Sequence, residues 1–439
     1  MPSLHVSEFS CLSEASFELA PVNVIIGPQG SGKSVTTKLF YFFAEILDTH
    51  LQSAERGDDL NDYKKKLAKQ FSVWFPPSAW GTGRFNINYY AGLFSVRILR
   101  RMSYGKPSDE VAITFSEWFS EHYARAVESF ERVKDKADIF EETSGQLSSD
   151  WDRTWRVRDA LTTRINNQLG RDYISQQTFI PAGRAFFTSI GRLMAGFEHA
   201  GALDPVTVKF ARLFANLRDR NSSRSGSNVA RFGEDFNERR RRFMEKLFGG
   251  EVKFEDEAEF VETDDGRKVP FSSLSSGQQE LLPMWSLIDY FGQLDTLRGS
   301  RKMSASKFRE LIYIEEPEAH LFPSAQSLLM EFLIGSIVSE RNQRSLVITT
   351  HSPYIMGKLN VFLKAGQLAR RKKRNQEIND IVPRDCWLND TQLSAVAIED
   401  GEMINLIDDD GLIDSTYLDQ ISEDISRQFS GLLRIESEL

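Results

Sequence analysis

The sequence predicts an α/β protein in which a mixed sheet is flanked by helices and carries a large, mainly helical insertion. Short apolar runs at 22–26, 311–314 and 346–351 are typical of fully buried strands. Helical patterns follow the first run and separate the last two, and a long stretch with helical periodicity, 116–169, lies between. With 439 residues, of which 41% are hydrophobic, the chain is long enough for one large or two to three ordinary domains.

The predicted elements follow in order from the N-terminus. Residues 4–26 alternate and then become apolar, which predicts two short antiparallel strands and a buried third strand, with a helix over 33–50. Later predicted elements are strands within 84–119, helices over 116–169, a strand at 178–182, basic helices over 205–247, a β-hairpin over 251–271 turning at Asp265 and Gly266, and then helix, strand, helix and strand to about 350.

We expect four parts in the chain. Residues 1–50 and 251–358 form the two halves of one core. Residues 51–250 form an insertion of β segments followed by a mainly helical lobe. Residues 359–439 form a C-terminal extension with a basic run and an acidic hairpin, and this hairpin turns at Asp400 and Gly401.

The composition and the absence of certain sequence patterns argue against several classes of protein. The sequence has no apolar run near the 18 residues of a transmembrane helix, and its N-terminus lacks the pattern of a secretory signal, so we expect a cytoplasmic protein. Two cysteines, Cys11 and Cys386, are far apart and predict neither a disulfide framework nor a zinc site. A net charge of −9 argues against a bulk electrostatic nucleic-acid binder.

A phosphate-binding pattern follows the first buried strand. It has the form G-x-x-x-x-G-K-[ST] between a strand and a helix. Glycines let backbone amides wrap a phosphate chain, and the helix N-terminus adds a partial positive charge. Lys33 would reach the β- and γ-phosphates of ATP, and the Ser34 hydroxyl would ligate Mg²⁺. A glycine-rich turn that only caps a helix is the alternative. The residues are Gly27, Pro28, Gln29, Gly30, Ser31, Gly32, Lys33 and Ser34.

Two adjacent carboxylates, Glu315 and Glu316, follow the apolar run at 311–314. In a strand their side chains would point to opposite faces. Beside a bound nucleotide, Glu315 fits a metal ligand and Glu316 fits a general base that polarises the attacking water. A solvated strand end that happens to be acidic is the alternative.

Two further segments suggest contacts with phosphate. The sequence LSSGQQELL, 274–282, lies where a loop enters a helix, and backbone amides at a helix N-terminus form an anion site. His351 ends a buried strand one helix after the acidic strand, so it is placed to reach the γ-phosphate of the same nucleotide. An ordinary helix cap and a structural histidine are the alternatives. The loop residues concerned are Ser275, Ser276, Gly277 and Gln278.

In this order the motifs resemble the heads of ATP-binding-cassette (ABC) ATPases, in the branch that holds the SMC, RecF and OLD-like families. Residues 27–34 match Walker A, 274–278 match the signature, 312–316 match Walker B, and His351 matches the switch histidine. The sequence EEPEAHLFP is most similar to stand-alone AAA-type defence ATPases, such as those of the Septu and PARIS systems, whose form is EEPEAHLHP. Phe322 replaces that histidine and is assigned no role.

The resemblance implies site roles. Lys33, Glu316 and His351 would be catalytic, and ATP and Mg²⁺ would be the cofactors. The metal would be held by Ser34, Glu315 and a glutamine, for which we choose Gln177.

That glutamine is the least determined of these residues. Gln176 and Gln177 both precede the stretch FIPAGR, and a surface glutamine pair is an equal alternative. Arg184 in the same stretch either faces phosphate or braces the loop.

The resemblance also implies a function. It suggests an ATP-dependent sensor or scaffold for a separate effector, a nuclease, in prokaryotic anti-phage defence. The chain would form at least a head-to-head homodimer with composite ATP sites. A RecF-like DNA-repair ATPase that clamps DNA is the alternative. We expect no nuclease activity of the chain itself, because 394–409 is too compact for a Toprim fold and predicts a hairpin instead.

Two basic runs stand out from the acidic average. Residues 209–247 contain eleven Lys or Arg, and 370–374 form a second run. We expect either contact with DNA, RNA or an acidic partner, or solvated helix faces.

Overall fold

The computed structural model describes residues 1–144, 150–190, 203–222, 234–255, 258–300, 309–338, 344–371, 374–414 and 426–435. The polar segments ETSGQLSSD at 142–150 and NSSRSGSN at 221–228, which interrupt the predicted helical regions, lie largely outside these residues.

The described strands form two sheets. The larger has eleven strands in the order β6-β5-β4-β1-β2-β14-β13-β3-β12-β11-β7, and the smaller has the order β10-β9-β8. Their bounds are β1 Ser3–Phe9, β2 Leu12–Glu18, β3 Val22–Ile26, β4 Asn86–Ala91, β5 Phe94–Ser103, β6 Lys106–Phe115, β7 Ile174–Ile180, β8 Gly250–Glu255, β9 Ala258–Thr263, β10 Lys268–Pro270, β11 Arg309–Glu315, β12 Arg344–Thr350, β13 Leu393–Glu399 and β14 Glu402–Asn405.

Helices pack on both faces of the larger sheet. We number them α1 Lys33–Arg56, α2 Leu60–Trp74, α3 Glu117–Ser144, α4 Asp150–Leu169, α5 Ala185–Ile190, α6 Pro205–Ser222, α7 Glu234–Phe243, α8 Ser276–Ser300, α9 Pro323–Ile337, α10 Pro353–Arg370 and α11 Asn375–Ile381. The predicted fold class, a mixed sheet with helices, is confirmed.

Half of the larger sheet is parallel. Strand β3 pairs in parallel with β12 and β13, and β11 pairs in parallel with β12 and β7. The carboxyl ends of these five strands therefore meet at one edge of the sheet, which we call the carboxyl edge. In open α/β sheets this is where ligands bind.

The other half is an antiparallel wing, formed by β6, β5, β4, β1 and β2. The hairpin β13–β14 joins the wing to the parallel half, and its turn lies at Asp400 and Gly401 as predicted. Strands from the segments predicted as insertion and extension thus belong to the same sheet as β3. The segment 251–271 is a three-stranded meander rather than one hairpin, since β8 pairs with β9 as well.

Side chains alternate between two hydrophobic cores along the parallel strands. Ile25 packs into a core under α1, α2 and α3, whereas Val24 and Ile26 pack into a second core under α8, α9 and α10. All five residues of β3 are buried. This burial on both faces explains why four of the five residues are apolar, and the one polar residue, Asn23, donates to the Ala20 and Leu346 carbonyls. The burial also fixes the position of the loop that follows.

Candidate functional site at the carboxyl edge

The loop after β3 has a backbone that only glycine adopts easily. Gly27, Gly30 and Gly32 have φ of 153°, 76° and 111°. A Cβ on Gly27 would lie 2.6 Å from the Ile398 carbonyl oxygen, and one on Gly32 would lie 2.5 Å from Leu12 Cδ2. The loop is therefore held between the end of β13 and the β1–β2 turn, and larger residues at these glycines would displace it.

The N-terminus of α1 presents amides with no competing side chain. Gly32 is the N-cap, makes no side-chain cap bond, and is followed by no acidic residue in the first turn. An anion is therefore the natural partner for these amides and for the positive end of the helix dipole.

Lys33 lies folded into this loop. Its side chain is 6% exposed, and Nζ donates to the carbonyl oxygens of Gly27 and Pro28, 2.8 Å away in each case. Burial lowers the pKa of the Lys33 ammonium from its ordinary value, while the carboxylates of Glu316, Glu318 and Glu315 act in the opposite direction. The cation therefore lies within electrostatic reach of the carboxylates that follow β11.

Glu315 ends β11 with one oxygen satisfied and one not. Its side chain is 7% exposed, and Oε2 accepts a hydrogen bond from the Ala182 amide at 3.2 Å. Oε1 is buried and has no hydrogen-bond partner among the described residues. Since a buried acceptor without a donor is costly, this oxygen calls for a cation or a donor that arrives with a ligand.

Glu316 has a strained backbone, and its side chain lies beside His351. Its φ is 42°, which is uncommon for a residue with a Cβ. Its amide still donates to the Thr349 carbonyl at 2.9 Å, so β11 is held against β12 up to this residue. Glu316 Oε1 lies 3.3 Å from His351 Nε2, and both side chains are partly exposed. The structure thus pairs the predicted base with the predicted switch histidine.

Arg184 braces the site from behind. The side chain is fully buried, and its guanidinium donates to the carbonyl oxygens of Glu280, Glu315 and Glu316 at 2.9, 2.8 and 3.2 Å. Burial lowers the pKa of Arg184 from its ordinary value, and carboxylates led by that of Glu280 offset the shift. Of the two predicted roles, the structure shows the brace, which ties α8 to the end of β11.

The signature loop is ordered by its own side chains. Ser275 Oγ and the Ser275 amide both donate to Gln278 Oε1, at 3.0 and 3.1 Å. Gln278 Nε2 donates in turn to the carbonyls of Leu247 and Phe248. A Cβ on Gly277 would lie 2.7 Å from the His320 carbonyl, so glycine allows α8 to approach the loop after β11. Ser275 and Ser276 remain exposed.

The structure places Gln177 away from the other predicted metal ligands. Gln177 lies opposite Leu311, four residues before Glu315, which corresponds to about 13 Å along the strand. Its side chain donates to the Tyr41 carbonyl at 3.0 Å and accepts from the Tyr313 hydroxyl at 2.7 Å. Gln176 lies one residue further back.

A magnesium ion fits the remaining donors. Ser34 is exposed at the start of α1, and Glu315 offers the unpartnered Oε1. Mg²⁺ takes oxygen ligands and is commonly held by one or two protein groups, with phosphate oxygens and water completing the shell. Ser34 and Glu315 are the residues that would hold it.

The described arginines of the basic helix α7 contact the protein itself. Arg239 pairs with Asp385, and Arg242 lies 3.5 Å from Glu331. Arg240 donates to Asp289 at 2.7 Å and its guanidinium lies over the Trp285 ring. For this part of 209–247 the contacts are ion pairs within the chain, which neither of the two predicted roles described.

The second basic run is described only at its ends. Arg370 pairs with Asp390, and Arg374 lies 3.5 Å from Glu377. Lys372 and Lys373 lie outside the described residues.

None of the helices that the structure describes combines the length and apolar character that crossing a bilayer requires.

Comparison with solved structures gives distant similarities over nearly the whole chain. The SMC head domain from Thermotoga maritima is 14% identical with a TM-score of 0.32, covering 92% of this chain and 97% of that one. A dimeric bacterial ABC transporter cassette is 11% identical with a TM-score of 0.29, covering 91% and 95%. The recombination mediator protein RecF is 9% identical with a TM-score of 0.31, covering 92% and 97%. Scores of this size carry no argument about function.

The family comparison is more decisive. No curated protein matches the chain. A family model described as "AAA domain, putative AbiEii toxin, Type IV TA system" matches residues 22–357, which include the loop after β3, the signature loop, the acidic strand and His351. The chain is therefore a member of this AAA-domain family, which agrees with its predicted resemblance to stand-alone AAA-type ATPases.

Proposed function

We propose that the chain binds Mg²⁺–ATP at the carboxyl edge and hydrolyses it. The observation that carries this proposal is the convergence of three neighbouring strand ends: the glycine loop after β3, His351 after β12, and Glu315 and Glu316 at the end of β11. A cation, two carboxylates and a histidine around an open helix N-terminus suit phosphoryl transfer to water.

Each residue has a task in this mechanism. The amides of the loop and of α1 bind the β- and γ-phosphates, and Lys33 exchanges its two carbonyl partners for phosphate oxygens. Glu316 accepts a proton from the attacking water, and His351 fixes the position of that carboxylate. A Mg²⁺ ion at Ser34 and Glu315 would supply charge stabilisation when bound.

The direct test is nucleotide binding and phosphate release by the purified chain. Lys33→Ala should lose most ATP binding, because the loop then lacks the cation that offsets phosphate charge. Lys38→Ala is the matched control on the same helix, where Lys38 pairs with Asp204 at 3.4 Å. If Lys33→Ala binds a fluorescent ATP analogue as tightly as the unchanged chain, this site is not the nucleotide site.

The wider role that we propose is an ATP-dependent sensor or scaffold that holds or releases a separate effector, a nuclease, in prokaryotic anti-phage defence. The family description, which names a toxin of a type IV TA system, supports a role in such two-component systems. Signature residues Ser275 and Ser276 are exposed, which supports a head-to-head homodimer in which each loop reaches the partner's nucleotide. The cytoplasm is the location that we propose.

A RecF-like ATPase that clamps DNA is the alternative, and one comparison separates the two. ATPase activity that rises when purified DNA is added, with no protein partner present, favours the clamp. A nuclease recovered with the chain from its native host, in amounts that change with phage infection, favours the sensor.

A further inference from the structure

Glu318 lies in the loop that follows β11 and has no role in the mechanism above. The loop is made of two consecutive turns, in which the Ala319 amide donates to the Glu316 carbonyl at 3.1 Å and the Leu321 amide donates to the Glu318 carbonyl at 2.9 Å. His320 within it has a φ of 59° and lies against Gly277. The loop is thus held on one side by α8, so the Glu318 side chain is presented from a fixed backbone.

One oxygen of Glu318 joins two groups at the end of β12. Glu318 Oε1 accepts hydrogen bonds from the Thr350 hydroxyl and from the His351 amide, each at 2.7 Å. Bonds from a backbone amide to a carboxylate are charge-assisted and stronger than neutral ones. The other oxygen, Oε2, is buried and has no partner among the residues described. Glu318 therefore fixes the residue whose ring lies 3.3 Å from Glu316.

These contacts link Glu316, Glu318 and His351 to one another. Glu316 and Glu318 are two residues apart in the chain, Glu318 binds the backbone of His351, and the His351 ring returns to Glu316. We propose that Glu318 is a positioning residue, which holds His351 at the distance that orients Glu316 toward the attacking water. This inference rests on the proposed ATPase function and assigns a third carboxylate to it.

The test separates positioning from a structural role. Glu318→Ala removes the acceptor of both bonds, so we expect kcat to fall by about tenfold to a hundredfold, the effect of losing hydrogen bonds to a charged group. The KM for ATP should stay within about threefold, because the hydrogen bonds of Glu318 go to the end of β12 and not to the loop after β3. Glu318→Gln keeps an acceptor oxygen in the same place and should recover most of kcat. Glu377→Ala, an exposed acid in α11, is the matched control.

An activity-independent readout accompanies the kinetics. In protein labelled with ¹⁵N-histidine, the amide proton of His351 should lose its carboxylate partner in Glu318→Ala and move upfield, whereas Glu318→Gln should leave it closer to its original position. Loss of ATP binding and of thermal stability together in Glu318→Ala would show a structural role instead and would overturn the proposal.

Two further outcomes also overturn it. The first is a kcat for Glu318→Ala within twofold of the unchanged chain. The second is a Glu318→Gln variant no better than Glu318→Ala. Either leaves the ATPase proposal standing if the unchanged chain hydrolyses ATP. If the unchanged chain neither binds nor hydrolyses ATP, both proposals fall together, and that result is distinct from the other two.

Discussion

The carboxyl edge and the antiparallel wing belong to one sheet but are built differently. At the edge, three buried side-chain oxygens lack hydrogen-bond partners among the described residues: Ser31 Oγ, Glu315 Oε1 and Glu318 Oε2. In the wing, Phe9 of β1 packs against the rings of Phe71, Phe75 and Phe85 at centroid distances of 5.8, 5.8 and 4.8 Å. The edge therefore holds polar groups that a ligand would complete, and the wing supplies apolar burial that stabilises the sheet.

This comparison predicts opposite effects for substitutions in the two regions. At the edge, Glu316→Gln keeps the shape of the side chain and removes the base. We expect ATP binding to persist while hydrolysis slows by on the order of 10²–10⁴. The measurement is single-turnover phosphate release at saturating ATP.

The matched control for that change is Glu399→Gln. Glu399 is an exposed acid at the end of β13, on the same edge of the sheet. The Glu399→Gln variant should hydrolyse ATP at the normal rate. Normal turnover in Glu316→Gln would show that another group is the base.

In α2, which packs on the wing, Phe71→Ala should affect stability and not nucleotide chemistry. Phe71 is fully buried among aromatic rings, and Phe→Ala changes at such sites cost about 3–5 kcal/mol in the free energy of unfolding. The checks are chemical denaturation and the ATP affinity of the folded fraction. Val73→Ala, on the same helix but 62% exposed, should change neither. A large loss of ATP affinity in folded Phe71→Ala would remove the distinction between the regions.

A histidine pair beside the wing makes this region sensitive to acid. His50 of α1 and His122 of α3 are buried, with their Nε2 atoms 3.1 Å apart. Burial lowers the pKa of His50 to about 3, and the neighbouring His122 adds to the shift. Burial, with Arg164 and Arg125, lowers the pKa of His122 to about 4.

The sign of the effect follows from proton binding. Below the ordinary histidine pKa of about 6.5 the unfolded chain binds protons that the folded chain does not, so stability is complete above that pH and falls as the pH drops toward 4. Each histidine should cost on the order of 1 kcal/mol per pH unit in this window. We expect the thermal midpoint of the double variant His50→Leu, His122→Phe to fall less between pH 7 and pH 5 than that of the unchanged chain. An equal fall in both would assign acid sensitivity to other groups.

The sequence predicted the edge better than the wing, for a physical reason. Phosphate binding demands specific residue types at fixed spacing, so the sequence singles out the loop at 27–34, the acidic pair and His351, and the structure brings them to one edge of the sheet. The position of Gln177 along its strand could not be predicted in the same way, because it depends on strand register, which local sequence does not determine.

Two other features of the structure were only partly predictable from the sequence. The compact segment 394–409, with its turn at Asp400 and Gly401, predicted a hairpin, but not that β13 pairs with β3, because pairing partners distant in sequence leave no local trace. Glu318 had a visible signal, a third carboxylate after Pro317, yet its role emerged only when its bond to the His351 amide was known.

We propose that ATP is hydrolysed at the carboxyl edge in sites shared between two copies of the chain. The decisive measurement is the ATPase activity of a mixture of two variants. Ser275→Arg blocks the signature loop, and Lys33→Ala blocks the phosphate loop. Each variant alone should be inactive, and Ser275→Arg should still bind ATP. In a heterodimer one composite site carries both defects and the other carries none, so the account predicts that mixing restores ATPase activity. Normal hydrolysis by Ser275→Arg alone, or heterodimers that form and remain inactive, would contradict it.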